Sequence, residues 1–378
     1  MKKLIVHILM TDYLLDSRVK NETTSLVNDK YDLNVYCLNS RLIFNDEIRE
    51  NVLLKRFGIV SNKYLTFISA YISMFFYSLN KKIDLVHAHD LNSLPIAYLI
   101  ALIKRIPFIY DSHELWSQSH HSISSKFILN SIALMEKIFA RKSARIITVS
   151  DSIKEYLEKY FCVSNIEVIR NIPSYTHIGN YNLLREQYNL PNEIKICLYQ
   201  GMISEHRGVS LIVKSAIEVC KNNDKVVFFF LGDGEDLDKF EKLIKGKGLH
   251  EKIFFLGRIE QDKLLKYTMS ADIGIHAISN TCLNHEYCLP NKVFEYLHSN
   301  LVLVVTNLIE LSKFVEENEI GLTFRDNDYL DLETKITELL TNRDLYLEYK
   351  NNVRKIAPNL TWSNEYLKLR NIYQDLLR

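Results

Sequence analysis

The sequence predicts an α/β protein of two doubly wound domains, each a mainly parallel sheet covered by helices, facing each other across a cleft. Three observations lead there. Short apolar runs alternate with helical patterns, the alternation stops once around 171–192 and then resumes, and four of only 11 glycines stand directly after apolar runs of the second half. Alternating strands and helices are the mark of a parallel sheet with crossover helices. A chain of 378 residues suits two cores, since single cores stop growing at about 250 residues.

Lys2–Met10 reads as the first strand, Ser17–Asn28 as the first helix and Leu33–Leu38 as the next strand. Asp84–Ala88, Pro107–Tyr110 and Arg145–Val149 are further strands, each followed by polar residues and a helical pattern. Parallel sheets bind ligands beyond the carboxyl ends of their strands. That rule singles out Thr11–Arg18, His87–Asp90, Asp111–Glu114 and Ser150 with Asp151. Asn171-Ile172-Pro173 and the polar residues to Asn192 read as a linker over 173–192, dividing a first domain, 1–172, from a second, 193–361. The second series of strands is Ile194–Tyr199, Val226–Leu231, Ile253–Leu256, Asp272–Ile275 and Leu301–Val305. Gly201, Gly232, Gly234 and Gly257 follow its strands, where a residue without Cβ lets a ligand approach the backbone. Trp362–Leu377 is an amphipathic helix with Tyr366, Leu369, Ile372, Tyr373 and Leu376 on one face.

The stretch Leu289–Leu297 carries the clearest chemistry. Pro290 suits a loop end or first helical turn, and Asn291, Lys292 and Glu295 then fall within about one turn of 3.6 residues. A helix N-terminus beside a lysine attracts phosphate, and a carboxylate one turn on accepts two hydrogen bonds from a ribose diol. The same pattern also describes an ordinary amphipathic helix packed through Val293, Phe294 and Leu297.

Composition sets bounds on partners and compartment. Apolar residues make up 47% and charged ones 25%, and 47 basic against 46 acidic side chains leave a net charge of +1, which gives no general affinity for nucleic acid. Six cysteines lack a framework spacing and no secretory signal opens the chain, so a reducing cytoplasm is expected. Cys282 and Cys288 with His285 between them have no second ligand pair nearby, and no metal site is expected. The strings Asp236-Leu237-Asp238 and Asp326-Asn327-Asp328 stand where helices begin, so capping is their expected role.

Tyr199-Gln200-Gly201 with Arg207-Gly208, Leu231-Gly232-Asp233-Gly234, Phe255-Leu256-Gly257, Ala271-Asp272-Ile273-Gly274 and Leu289-Pro290-Asn291-Lys292 with Phe294-Glu295-Tyr296 resemble, in order and spacing, the C-terminal half of retaining GT-B glycosyltransferases of family 4. In the first half, Asp16-Ser17-Arg18-Val19, His87-Ala88-His89-Asp90, Tyr110–Glu114, Ile147–Ser150 and Arg170–Pro173 resemble the matching blocks. The resemblance implies two Rossmann-like domains with the terminal helix returning to the first. It also implies Glu295 on the donor ribose, Asn291 and Lys292 at the donor phosphates, and Arg207 in place of the usual lysine, with Gly201 and Arg258 completing the donor set. His113 is the implied catalytic candidate, and Arg18, Asp90 and Glu114 are acceptor-side candidates. The chain departs from the pattern at Met202, where an arginine is usual, at Tyr287, where a glutamate is usual, and at Thr11–Leu15, where a glycine-rich loop is usual.

Two helices raise the question of a membrane. Tyr64–Leu79 is an apolar run of 16 residues, short of the roughly 20 needed to span a bilayer, so a buried or surface helix is expected. Ser122–Arg145 mixes apolar residues with Lys126, Lys137, Arg141, Lys142 and Arg145, and it reads either as a helix lying on anionic lipid or as a covering helix. The expected function is transfer of a sugar from a nucleoside diphosphate sugar, as co-substrate and without a cofactor or metal, to a glycan or lipid-linked acceptor, in surface polysaccharide biosynthesis in bacteria. The place would be the cytoplasm, at the inner face of the membrane if the basic helix touches lipid. Two alternatives stand beside it: a sugar-nucleotide-binding partner without transfer activity, and a sugar-nucleotide epimerase of the same fold.

Overall fold

The computed structural model describes residues 2–39, 46–58, 62–119, 125–174 and 181–378. The chain divides into two compact units, Met1–Ser174 with Trp362–Arg378, and Tyr175–Thr361.

The first unit contains β1 (Leu4–Ile8), α1 (Ser17–Asn28), β2 (Asp32–Leu38), β3 (Glu47–Arg49), β4 (Val52–Phe57), α2 (Lys63–Leu79), β5 (Leu85–His89), α3 (Asp90–Lys104), β6 (Phe108–Ser112), α4 (Lys126–Ala140), β7 (Arg145–Thr148), α5 (Asp151–Phe161) and β8 (Ile166–Val168). Its sheet runs β3-β4-β2-β1-β5-β6-β7-β8 and is parallel except for the edge pair of β3 with β4. β5 is buried at every position, as a strand with both faces covered must be. Helices start where side chains can cap them: Asp16 accepts from the Val19 amide at 3.0 Å and Ser150 from the Ile153 amide at 3.3 Å. The direction of winding reverses between β1 and β5, which opens a crevice at their carboxyl ends.

The second unit contains α6 (Leu183–Gln187), β9 (Lys195–Gln200), α7 (Val209–Asn222), β10 (Val226–Leu231), α8 (Leu237–Gly246), β11 (Ile253–Phe255), α9 (Gln261–Met269), β12 (Ile273–His276), α10 (Leu283–Glu286), α11 (Asn291–His298), β13 (Val302–Thr306), α12 (Ile309–Glu317), β14 (Gly321–Phe324), α13 (Tyr329–Thr341) and α14 (Arg343–Ile356). Its all-parallel sheet runs β11-β10-β9-β12-β13-β14, so the reversal lies between β9 and β12. Asp272 ties this unit together at the foot of β12. It accepts from Arg185 of α6 at 2.7 Å, the Ile196 amide at 3.0 Å and the Tyr346 hydroxyl of α14 at 3.2 Å.

The last helix, α15 (Trp362–Leu376), belongs to the first unit. Trp362, Leu369, Ile372 and Tyr373 enter the same apolar core as Ile5, Val19, Val35 and Ile109. Its polar atoms are matched as well, Trp362 donating to Ser25 at 2.8 Å and Tyr366 to Asp29 at 2.7 Å.

Several strands went unanticipated for identifiable reasons. β4 carries Lys55 and Arg56, yet the Arg56 side chain is fully buried because Asp12 and Glu47 neutralise it at 3.2 and 3.0 Å. β6 continues past Tyr110 because Asp111 and Ser112 pair with Ile147 and Thr148 of β7. The stretch assigned to a linker holds α6, docked through Arg185, while 175–180 lie outside the described residues. Asp328 caps α13 as expected, but Asp236 does not cap α8 and instead accepts from the Glu205 amide at 2.8 Å.

Candidate active site: a cationic cavity and a buried histidine network

In the second unit the strand-end turns are laced to one another. The Gly201 amide donates to the Leu231 carbonyl and the Gly232 amide to the Gly257 carbonyl, both at 2.8 Å. Two of these glycines are obligatory. A Cβ on Gly232 would lie 1.8 Å from the Gly201 oxygen, and one on Gly201 would lie 2.3 Å from the Lys292 Nζ, at φ values of +142° and +140°. Gly201 thus gives up its side-chain volume to the lysine ammonium, which also stands 5.0 Å from the centre of the Tyr199 ring.

Around this ammonium is a cavity of about 280 Å³ lined by Gln200, Gly201, Leu231, Gly232, Arg258, Ile259, Leu264, Lys292 and Glu295. One side is polar and the other, through Leu231, Ile259 and Leu264, is apolar. Burial and, to a lesser extent, the nearby Arg207 lower the pKa of Lys292 to about 8, against the pull of Glu295. Glu295 is itself raised by burial. One of its oxygens accepts from Gln200, whose own oxygen accepts from Thr268 at 2.8 Å, so the carboxylate is held in place from behind. Asn291 opens α11 after Pro290. Arg207 is an exposed residue of the single turn Glu205–Arg207, and Arg258 lines the cavity rim. Gln200 is the residue that sequence reasoning passed over, although its position at the last residue of a strand was the available signal.

In the first unit the candidates form one buried polar cluster. Arg18 is 1% exposed and makes two bonds to Asp111, at 2.9 and 3.0 Å, and a third to the Ile169 carbonyl at 2.8 Å. Glu22 lies 3.1 Å from the same guanidinium. Burial opposes the charge of Asp111, but Arg18 and His113 outweigh it and hold that carboxyl well below the usual range. Burial pushes the pKa of Glu22 up instead, against the pull of Arg18. His113 follows β6 with its side chain 18% exposed, 3.3 Å from Asp111 and 3.5 Å from Asp90. Burial alone would lower its pKa, but Asp90 and Asp111 overcome this and hold it at about 10. The Asp90 backbone sits at φ +61°, a strained left-handed conformation that turns β5 directly into α3 and brings its carboxylate to the His113 amide at 3.2 Å. Glu114 is exposed at the next turn.

Behind His113 runs a chain of side chains: His89 at 3.2 Å, then His7 at 2.9 Å, the Tyr373 hydroxyl at 3.2 Å and His87 at 2.5 Å. Burial lowers the pKa of His7, His87 and His89, so these rings are neutral. The groups His7, Glu22, His87 and His89, and His89, Asp111 and His113, are close enough to share a cation. The rings of His87 and His89 are stacked, with centroids 4.3 Å apart, and His7 and His89 stack at 5.1 Å.

The unusual positions also have places. Met202 is 59% exposed. Glu286, one residue before Tyr287, accepts from the Ile309 amide at the start of α12 at 3.3 Å.

Two family models match the chain, one described as glycosyl transferases group 1 over residues 180–356 and one as glycosyltransferase family 4 over residues 17–172. Among curated relatives, an uncharacterised glycosyltransferase of Methanocaldococcus jannaschii is 23% identical over 247 residues, 64% of this chain and 61% of that protein. The alpha-monoglucosyldiacylglycerol synthase of Acholeplasma laidlawii is 22% identical over 264 residues, 66% of this chain and 65% of that protein. These matches span less than two thirds of either relative's length. Solved structures share the fold along nearly the whole chain. Sucrose-phosphate synthase from Thermosynechococcus elongatus has a TM-score of 0.78 at 15% identity, covering 99% of both chains. Anabaena HepE in complex with UDP and glucose has a TM-score of 0.76 at 13% identity, covering 99% of this chain and 100% of that one.

The His113 environment makes a spectroscopic prediction. Its pKa is raised above the unfolded value, so the stabilisation it brings is fully present below about pH 6.5 and is lost as pH rises through about 10. The ring resonances of His113 should show no titration between pH 6 and 8, and Asp90→Asn should move its midpoint down by about one unit or more. A wild-type midpoint near 6.5 would mean that the two carboxylates do not govern this ring.

Proposed function

Because the chain belongs to the glycosyl transferases group 1, with family 4 matched over its first unit, we propose that it is a glycosyltransferase that moves a sugar from a nucleoside diphosphate sugar to a glycan or lipid-linked acceptor, with retention of configuration. The observation that carries this reading is the Lys292–Glu295 cavity. A cation sits beside a helix N-terminus, a carboxylate stands one turn on, and an apolar wall suits a base. The neighbouring structures of Anabaena HepE in complex with UDP and with UDP-glucose support a nucleotide sugar as donor.

On this reading the leaving diphosphate develops charge that Lys292, Arg207, the Gly201 backbone and the amino end of α11 stabilise, which accounts for the reaction without a metal. His113, carrying a proton at neutral pH, donates a hydrogen bond to the transferred sugar or to the developing charge rather than acting as a base. The departures at Met202 and Tyr287, and the engagement of Glu286 at Ile309, favour a second reading in which the chain binds the sugar nucleotide without transferring it. Release of nucleoside diphosphate that depends on acceptor separates the two.

A lipid-linked acceptor is supported by the outer surface of α2, α3 and α4. Tyr64, Ile72, Phe76, Leu102, Phe127 and Leu134 are all exposed there. The only carboxylates on the three helices are Asp90, engaged with His113, and Glu136, buried against the Tyr110 hydroxyl at 2.7 Å. This apolar face, whose helices carry no carboxylate beyond those two, lies next to Lys137, Arg141 and Lys142 and complements an anionic bilayer surface. Residues 122–124 of the anticipated basic helix lie outside the described residues. No helix among the described residues is long and apolar enough to cross a membrane. A peripheral place at the cytoplasmic face of the membrane, in surface polysaccharide assembly, fits these features.

Two measurements test the proposal. Glu295→Gln should weaken binding of the nucleotide sugar that stabilises the wild-type chain by about tenfold or more, since charge-assisted hydrogen bonds are worth about 1.5 to 3 kcal/mol, while leaving the fold intact. Unchanged affinity in calorimetry would remove Glu295 from the donor site. Replacing Lys137, Arg141 and Lys142 together by glutamine should reduce sedimentation with anionic liposomes, each charge contributing about 1 kcal/mol. A wild-type protein that never sediments would end the lipid part of the proposal.

A further inference from the structure

His276 is a buried imidazole that the site described above does not use. It ends β12 at the reversal between β9 and β12, the position where open α/β sheets take their ligands. Its ring is 5% exposed, and neither nitrogen has a hydrogen-bond partner. A buried polar group left in that state destabilises a fold, so an imidazole with two orphaned nitrogens is explained best by something that binds there.

The register shows what that something meets. A Cβ on Gly274 would lie 2.6 Å from the Tyr296 ring, so this face of β12 packs directly on α11. His276 is two residues further along the same face of the strand, about 6.6 Å. Lys292 is four residues before Tyr296 on the same face of the helix, about 6 Å. Strand and helix thus carry His276 and Lys292 to the same edge. On the other side, Gly208 packs so tightly on Ala277 that a Cβ there would lie 2.6 Å from the Ala277 oxygen, which places the Arg207 turn against the residue following His276. The ring feels both cations: burial lowers its pKa well below the ordinary value, and Lys292, Arg207 and His285 lower it further. Glu295 is the carboxylate facing Lys292 from the next turn of α11. A neutral imidazole between two cations is poised to gain a proton when an anion arrives.

We propose that His276 is a third binding group for the diphosphate, donating a ring N–H to a phosphate oxygen and taking up a proton as the nucleotide binds. This rests on the reading of the Lys292 cavity as a nucleoside diphosphate site. It assigns the β12 terminus, which carries no such role in the sequence pattern, to phosphate recognition. It also makes binding a proton-linked event at neutral pH.

Calorimetry with UDP and GDP tests it on wild type, His276→Leu and His276→Gln, at pH 7 in two buffers of different ionisation enthalpy. At that pH Lys292 is already mostly protonated, so the difference in proton uptake between wild type and variant isolates the histidine. His276→Leu should bind the diphosphate about tenfold more weakly, lose the proton uptake, and melt at or above the wild-type temperature, because leucine removes an unpartnered polar group. His276→Gln, which keeps a donor but cannot titrate, should recover part of the affinity and none of the uptake. Equal affinity and equal proton uptake in wild type and both variants would overturn the proposal while leaving the donor site standing. Failure of UDP and GDP to bind the wild-type chain at all would overturn both. If the leucine variant does not fold, the glutamine variant decides by its proton count.

Discussion

The cavity of the second unit depends on a missing side chain. The Lys292 ammonium can stand over the end of β9 only because Gly201 carries no Cβ, which would otherwise lie 2.3 Å from the nitrogen. Gly201 in turn is held by the Leu231 carbonyl, and Gly232 must be glycine because Gly201 presses on it. Three strand ends and one helix terminus are thereby locked around a single cation. The charge is kept marginal by burial, with a pKa of about 8, so it is available to an anion without being neutralised by a permanent partner.

The first unit solves a different problem, that of keeping several ionisable groups under cover. Arg18 and His113 stand against Asp111 and Asp90, burial pushes Glu22 up, and burial lowers His7, His87 and His89. Pairing of opposite charges is the condition under which burial is tolerable. The network also joins the last helix to the sheet, since the Tyr373 hydroxyl contacts both His7 and His87. His113 and Asp90 are the members with partial access to solvent, while Asp111, which also raises the pKa of His113, is fully buried.

Much of this was legible in the residues. The alternation of apolar runs located nearly every central strand, and two of the glycines after them, Gly201 and Gly232, line the Lys292 cavity. Lys292 and Glu295 were recognisable because their spacing is that of a helical turn. What was hidden depended on pairing across the chain. Arg18 stood out as an acceptor-side candidate, but its burial against Asp111, 93 residues away, could not be read from the chain. Arg56 disguised a strand because the carboxylates that neutralise it come from other elements. His276 was unreadable because a lone histidine at the end of an apolar run gives no sign of lying beside a lysine that follows sixteen positions later. Only the packing of Gly274 on Tyr296 brings the two elements into register.

The central claim is that Lys292 is the cation of a nucleoside diphosphate site, and the pH dependence of UDP or GDP affinity tests it most directly. A lysine with a pKa near 8 in the empty site binds the anion in its charged form, so affinity is retained below that value and lost above it. The account predicts a fall in affinity of about tenfold from pH 7 to pH 9 in the wild-type chain. It predicts a weaker affinity with a shallower fall over the same range in Lys292→Gln, where only the proton uptake at His276 remains. A wild-type affinity that stays flat to pH 9, or a glutamine variant that falls in parallel with it, would contradict the account.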